Sequence, residues 1–213
     1  MHAGVDTMRS HFLDLFSGLG GASEAFVNDD NWTVLRIDNN PLLGGVPFTV
    51  IDDVDSVLDR LPRERAMEWP KLDCIWASPP CREFSNGFSS PKSIAAREGR
   101  LQDYKPDLSL LETAIEIIQI AKPKYWVIEN VVGAIRYFEP ILGKPRQIIG
   151  PYVLWGNFPL LDVDTSQLVE KKKKNPHSSN PLRSNYMAKV DFVISEALKK
   201  AIENQKSIFD DFA

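Results

Sequence analysis

Apolar runs alternate with helical spacings along most of the chain. Short runs rich in β-branched and aromatic residues predict strands at residues 11–16, 33–37, 48–51, 72–77 and 125–128. Apolar residues at three- and four-residue intervals predict helices at residues 22–27, 54–61, 107–121 and 190–203. Because strands and helices alternate, this pattern favours an α/β fold with a doubly wound, mostly parallel sheet.

Two stretches lack this periodicity. Residues 82–106 are polar and long, and loops of such length in compact domains are usually functional, so we predict a mobile loop there. Residues 160–185 contain the run from Lys171 to Lys174 and a stretch rich in Ser, Asn and Pro, which predict a flexible loop. The length of 213 residues fits one domain over residues 1–213.

Composition narrows the function classes. The net charge of −4 argues against a surface coated with basic residues but leaves room for a local nucleic-acid-binding face. No apolar segment is long enough to span a bilayer, and the first ten residues lack the apolar core of a signal peptide, so we expect a cytoplasmic protein without a membrane contact. The 3 His and 2 Cys have no zinc spacing, so we expect no metal.

A glycine cluster follows the first predicted strand. Gly18, Gly20 and Gly21 stand between that strand and the next helix, where glycine lets the backbone approach a ligand and leaves N–H groups free at the helix start. Glycines that only form a tight turn would give the same pattern. The cluster therefore indicates a nucleotide-like ligand only in combination with other features.

Acidic residues end the next two predicted strands. Asp38 follows the second strand, where a carboxylate can accept both hydroxyls of a ribose. Asp53 follows the third and could accept from an exocyclic amine. Aspartates also favour turns, and for either residue alone a role in a turn would be the better interpretation. Both acids behind a glycine turn favour a ribose-bearing adenine ligand.

A thiol and a carboxyl end the fourth and fifth predicted strands. Two prolines before Cys81 force the chain out of the sheet, so the thiol is expected on a stiff backbone at the sheet rim. Glu129 ends the neighbouring strand, and the pair suggests covalent catalysis with acid–base assistance. The alternatives are a buried cysteine, which we prefer for Cys74, and a helix N-cap formed by Glu129 and Asn130.

Three motifs in this order resemble those of the DNA (cytosine-5) methyltransferases. They are Phe-Ser-Gly-Leu-Gly-Gly at 16–21, Ser-Pro-Pro-Cys at 78–81 with Phe-Ser after it, and Glu-Asn-Val at 129–131. The resemblance covers roughly residues 12–156 and resumes at 187–202. It implies a Rossmann-like class I S-adenosylmethionine-dependent methyltransferase fold, as a single minimal catalytic domain.

The resemblance also implies roles for individual residues. S-adenosylmethionine would bind at Phe16, Ser17, Gly18, Leu19, Gly20, Asp38, Asn39, Asp53 and Pro79. Cys81 would add to C6 of a cytosine flipped out of duplex DNA, with Glu129 holding the base and Asn130 and Arg146 completing the catalytic set. Arg82 and Ser85 would contact the nucleic acid. The mobile loop at 82–106 would close over the substrate.

Some positions depart from the family pattern. Arg82 replaces the usual Gln, the pair Asp38-Asn39 replaces Glu and a bulky residue, and Arg146 is the nearest match to a Gln-x-Arg-x-Arg motif. Only the loop at 160–185 stands where the family carries a target-recognition domain. We therefore expect relaxed or very short sequence specificity, with a recognition partner subunit as one alternative and an RNA cytosine-5 methyltransferase as another. A cofactor-binding subunit without turnover is the remaining alternative.

Overall fold

The computed structural model describes residues 9–61, 71–87, 89–169, 177 and 179–210, with side chains as far as residue 205. Within these residues one seven-stranded sheet has the order β3-β2-β1-β4-β5-β7-β6. The strands are β1 Ser10–Leu15, β2 Trp32–Asp38, β3 Thr49–Ile51, β4 Cys74–Ala77, β5 Tyr125–Val131, β6 Gln147–Ile149 and β7 Tyr152–Asn157.

The five strands predicted from the sequence are confirmed, and they pair in parallel. The hairpin of β6 and β7 was not predicted; β7 runs antiparallel to β5 and to β6. The turn between them holds Gly150 at φ +55°, followed by Pro151. Such a Gly-Pro turn between two apolar runs was a readable hairpin signal.

Helices cover both faces of the sheet, as the alternation predicted. They are α1 Glu24–Val27, α2 Val54–Arg60, α3 Pro91–Arg97, α4 Ser109–Ala121, α5 Ile135–Leu142, α6 Arg183–Ala188 and α7 Phe192–Asp210. The predicted helices at 22–27, 54–61, 107–121 and 190–203 correspond to α1, α2, α4 and α7.

Two helices correct the prediction along residues 82–142. α5 was not predicted, and α3 lies inside the stretch 82–106 that was expected to be irregular. Ser90 caps α3 through a hydrogen bond from Ser93 N, and Pro91 occupies its first turn, a start signal that the sequence already carried. The mobility of this stretch stays a prediction.

The stretch 160–185 is also only partly a loop. Leu161 is buried, and the Gln147 side chain both donates to the Leu161 carbonyl and accepts from its N–H. α6 begins inside the predicted range. Residues 170–176, which include the run from Lys171 to Lys174, lie outside the described residues.

Two apolar layers fix the sheet between its helices. Phe12 and Trp76 point to the layer beneath α1 and α7, while Leu13 and Ile75 point to the layer beneath α2 and α4. Burial on both faces is typical of central parallel strands. The fold therefore holds β1 and β4 rigidly, and their carboxyl ends share one edge. Among the described helices, none has the length and apolar character needed to cross a membrane.

Candidate active site

A cavity of about 800 Å³ opens at the carboxyl edge of the parallel strands. This volume is within the range of small-molecule sites. The residues predicted from the sequence that line it are Phe16, Ser17, Gly18, Leu19, Asp38, Asn39, Asp53, Pro79, Cys81, Arg82, Ser85 and Glu129. Gly20, Asn130 and Arg146 are not part of its lining.

The glycine turn after β1 is held open by backbone conformation and by one carboxylate. Phe16, Gly18 and Gly20 have positive φ angles of 58°, 53° and 71°. Gly18 N donates to Asp38 Oδ2 at 2.8 Å, and Asn40 N donates to Asp38 Oδ1 at 3.0 Å. Each carboxylate oxygen has a further lone pair, so Asp38 can still accept from a ligand.

Arg36 supports this turn from behind, and sequence reasoning missed it. Its guanidinium is buried and donates to the carbonyls of Gly20 and Pro47, each at 2.9 Å, and to Ser23 Oγ at 2.8 Å. A Cβ on Gly20 would overlap the guanidinium, so Gly20 shapes the turn without lining the cavity. The signal was a charged residue inside an otherwise apolar strand.

Asp14 lies beneath the turn and lines the cavity, although it is only 1% exposed. Ser23 Oγ donates to Asp14 Oδ2 at 2.6 Å. Burial raises the pKa of Asp14 to about 6, against the lowering effects of the Ser23 hydrogen bond and the Arg36 charge. The cavity floor therefore carries a carboxyl group that titrates near neutral pH.

We expect the stability of the protein to record this titration. Because the pKa of Asp14 rises from 3.8 unfolded to about 6 folded, the native state binds more protons between these values. Its contribution to the free energy of unfolding should fall by about 2 kcal/mol as pH rises from 4 to 7. Urea unfolding of the wild type and Asp14→Asn at several pH values measures the difference.

Asp29→Asn provides a control of opposite sign. The hydrogen bond from Lys199 lowers the pKa of Asp29, so its stabilising contribution should be lost as pH falls. If the difference between wild type and Asp14→Asn does not change with pH, the raised pKa of Asp14 is refuted.

The cavity wall beyond β3 combines Asp53 with polar and apolar neighbours. Asp53 caps α2, with its Oδ1 accepting from Asp55 N at 3.1 Å. Asn39 Nδ2 lies 3.5 Å from Asp53 Oδ2. Val54 and Leu110 add apolar surface to the same cavity. The acid at the end of β3 thus remains accessible from the cavity.

Cys81 enters the cavity from the end of β4. It opens a short 3₁₀ turn, Cys81–Glu83, and its carbonyl accepts from Phe84 N at 3.0 Å and Ser85 N at 2.9 Å. The Cys81 side chain is partly exposed, in contrast to Cys74, which is fully buried in β4. The thiol that lines the cavity is therefore the one after the two prolines.

Asn130 secures the proline segment from the neighbouring strand. Its Nδ2 donates to the Pro79 carbonyl at 2.9 Å, and its Oδ1 accepts from Val131 N at 2.9 Å. Both residues of the pair Glu129-Asn130 lie within β5, so they do not cap a helix. Asn130 fixes the backbone that carries the thiol, while Glu129 lines the cavity.

Tyr152 of β7 lines the cavity beside β5 and was missed by sequence reasoning, since β7 itself was missed. It pairs with Val131 in the sheet register. Its hydroxyl accepts from Asp191 N at 3.2 Å, and burial together with the Asp191 carboxylate raises the pKa of Tyr152. Tyr152 thereby connects β5, the strand that carries Glu129, to the residue just before α7.

Arg146 lies elsewhere. Its Nε donates to the Phe158 carbonyl at 2.5 Å, and its guanidinium lies 5.6 Å from the centre of the Phe158 ring. The structure does not bring it to the cavity that Glu129 lines.

The segment after Cys81 is anchored by side chains that follow it. Ser90 Oγ donates to the Ser85 carbonyl at 2.6 Å, and Lys92 Nζ donates to the Phe84 carbonyl at 3.2 Å. Tyr104 donates its hydroxyl to the Glu83 carboxylate and carbonyl. Residues 83–85 are thus held in place although they begin the predicted mobile loop.

The remaining wall comes from α6 and the segment before α7. Asn185 lies over the glycine turn, 3.6 Å from where a Cβ of Gly18 would be. Residues 187–190 also line the cavity. The resemblance pointed to residues 187–202, but Asn185 carried no signal in the sequence.

The charges of the lining favour a cationic ligand. Its anionic side chains are Asp14, Asp38, Asp53 and Glu129, against the cations Arg82 and Lys189. Within the part of the chain that the structure describes, no cluster of three His, Cys, Asp or Glu residues could hold a metal ion.

The strand order, the antiparallel β7 and the glycine turn define a Rossmann-like class I methyltransferase fold. Residues 10–137, more than half of the chain, match the family of C-5 cytosine-specific DNA methylases. The chain belongs to this family.

Curated relatives carry related names. One named "Probable DNA (cytosine-5)-methyltransferase", from Frog virus 3, is 34% identical over 55% of this chain and 52% of its own length. Type II methyltransferase M1.HphI of Haemophilus parahaemolyticus is 27% identical over 63% of this chain and 35% of its own. Type II methyltransferase M.AquIA of Picosynechococcus sp. is 27% identical over 61% of this chain and 52% of its own length. The matches span about half of these relatives or less.

Proposed function

We propose that the chain transfers a methyl group from S-adenosylmethionine to C5 of a cytosine flipped out of DNA, through a covalent adduct with Cys81. The observation that carries this proposal is the shared cavity. Cys81 and Glu129, at the ends of adjacent strands, line one part of it, and Asp38 and Asp53 line another.

The residues present fit S-adenosylmethionine. Ser17 Oγ lies buried at the cavity without a hydrogen-bond partner among the described residues, so it can bond a ligand. The four lining carboxyl groups suit a ligand with a sulfonium and an ammonium group. Asp38 would hold the ribose and Asp53 the adenine amine, with Asn39 and Pro79 beside them. When bound, the cofactor supplies an electrophilic methyl group.

The chain's own residues supply the remaining chemistry. The Cys81 thiolate forms a bond to C6 of the cytosine, and the electron pair of the C5–C6 double bond becomes available at C5 to take the methyl group. Glu129 holds N3 and the amino group, stabilising charge as the adduct forms. A base or water then removes the C5 proton, and the electrons of that C–H bond restore the double bond and expel the thiolate.

The DNA would approach the rim that carries Arg82 and Ser85. Arg82 is exposed next to the nucleophile, where a guanidinium can meet a phosphate. The target base must leave the stack because its reacting carbon is inaccessible in the duplex. Because only residues 160–185 stand where the family carries a target-recognition domain, we propose relaxed or short sequence specificity; a partner subunit that supplies recognition is the alternative.

Incubation of the chain alone with duplex DNA and labelled cofactor tests the proposal. We expect 5-methylcytosine after nuclease digestion and mass spectrometry, at cytosines in many sequence contexts. A parallel arm with tRNA-like RNA should give little product. Methylation of the RNA in preference to DNA, or no transfer to any DNA, would contradict the proposal; cofactor binding without transfer would favour the partner subunit.

A further inference from the structure

We propose that Lys189, together with Ser17, forms a subsite for the carboxylate of the cofactor's amino-acid tail and makes binding selective for cofactors that carry this carboxylate. The inference rests on the proposed function, since it concerns how the same cavity recognises S-adenosylmethionine. It starts from how the sheet divides the cavity.

The topology leaves one region for the amino-acid tail. Acids at the ends of β2 and β3 suit the adenosine, and Cys81 and Glu129 at the ends of β4 and β5 mark the reacting centre. β1 lies between these pairs, and its glycine turn faces residues 187–190. The tail, with one ammonium and one carboxylate, must therefore lie between the turn and this facing segment.

The two charges of the tail need opposite partners there. Asp14 lies under the turn and suits the ammonium. Of the two lining cations, Arg82 adjoins Cys81 at the reacting centre, whereas Lys189 adjoins the glycine turn. Lys189 is thus the described cation placed for the carboxylate.

The geometry of Lys189 suits this role. Its Cγ lies 2.9 Å from where a Cβ of Gly21 would be, so the stem packs directly on the turn. Its Nζ lies 2.8 Å from Glu24 Oε2, and the two side chains are 32% and 40% exposed. Exposed ion pairs contribute roughly 0–1 kcal/mol, so exchanging Glu24 for a ligand carboxylate costs little.

Ser17 supplies the second contact. Its hydroxyl is the buried group at the cavity that lacks a protein partner among the described residues. A carboxylate has two oxygens and can accept from the Ser17 hydroxyl and the Lys189 ammonium together. A ligand without the carboxylate would leave the Ser17 hydroxyl unpaired.

Equilibrium binding measured by calorimetry separates these contributions. Wild type should bind S-adenosylmethionine more tightly than its decarboxylated form, which retains the sulfonium and the amine. Lys189→Met should weaken binding of the complete cofactor by about fivefold, the upper end for a partly exposed ion pair. Its affinity for the decarboxylated form should stay within about twofold. Lys189→Arg should restore much of the selectivity, since a guanidinium also pairs with carboxylates.

Two further variants isolate the role of Lys189. Lys200→Met, an exposed lysine paired with Glu196 on α7, should leave both affinities unchanged. Glu24→Gln removes the carboxylate that pairs with Lys189 and should keep or raise affinity for the complete cofactor. If Glu24→Gln weakens binding as Lys189→Met does, the ion pair is structural and the inference is wrong.

The outcomes distinguish the inference from the proposed function. Equal loss of both ligands in Lys189→Met, or equal binding of both by wild type, overturns the carboxylate subsite while S-adenosylmethionine binding stands. Failure of the wild type to bind S-adenosylmethionine or S-adenosylhomocysteine at all would overturn the proposed function as well.

Discussion

Cys81→Ala should reduce methyl transfer to DNA by about 10⁴-fold or more, because removing a nucleophile removes the covalent route and not merely a contact. The hydrogen bond from Gly18 N to Asp38 and the one from Arg36 to the Gly20 carbonyl, which both hold the glycine turn, are untouched by this substitution. Cofactor affinity, measured by calorimetry, should therefore change little. The rate is measured with labelled cofactor and duplex DNA under single-turnover conditions.

The chain offers its own control in Cys74. This residue is fully buried in β4, so Cys74→Ala should cost some stability but leave transfer intact. On DNA containing 5-fluorocytosine, the wild type and Cys74→Ala should form a complex that survives denaturation, because fluorine at C5 blocks the final elimination. Such a complex with Cys81→Ala would show that another group is the nucleophile.

The strand ends could be predicted because they depend on local signals. Apolar runs broken by glycine, proline or aspartate locate the ends of parallel strands, and those ends share one edge of the sheet. Asp38, Asp53, Cys81 and Glu129 were therefore predicted together, and the structure brings all four to one cavity. Their roles in catalysis stay predictions.

Contacts between distant parts of the chain could not be predicted in this way. Arg36 supports Gly20 across 16 positions, and Asn130 holds Pro79 across 51. A charged residue in an apolar strand marks Arg36 as unusual, but no local pattern identifies the partner of either residue. The hairpin of β6 and β7 was missed although its turn was readable. Because it was missed, Tyr152 was missed too. Arg146, which immediately precedes β6, bonds to the Phe158 carbonyl and does not line the cavity.

The pair Glu129-Asn130 shows that a sequence motif does not by itself reveal the separate role of each of its residues. Successive residues of a strand point to opposite faces. Asn130 accordingly bonds to Pro79 inside the protein, whereas Glu129 reaches the cavity. A substitution of Glu129 should therefore test the chemistry of the reaction. A substitution of Asn130 should test how the thiol of Cys81 is positioned.

Glu129→Gln should lower the single-turnover rate of methyl transfer by about 10²- to 10⁴-fold, the range for loss of an acid–base group. Glutamine has nearly the same shape and can still accept from the cytosine amino group, but it cannot share a proton with N3. Asn130 and its bond to Pro79 are untouched, so Cys81 should keep its position. Cofactor affinity should stay close to that of wild type.

Glu139→Gln on α5 is the matched control, because this carboxylate does not line the cavity. The rate of adduct formation on 5-fluorocytosine DNA shows which step is impaired. Adduct formation should be slower with Glu129→Gln, because attack by the thiol leaves negative charge on the ring, and Glu129 stabilises that charge. Normal adduct formation and a normal transfer rate in Glu129→Gln would assign the activation of cytosine to another residue of the cavity.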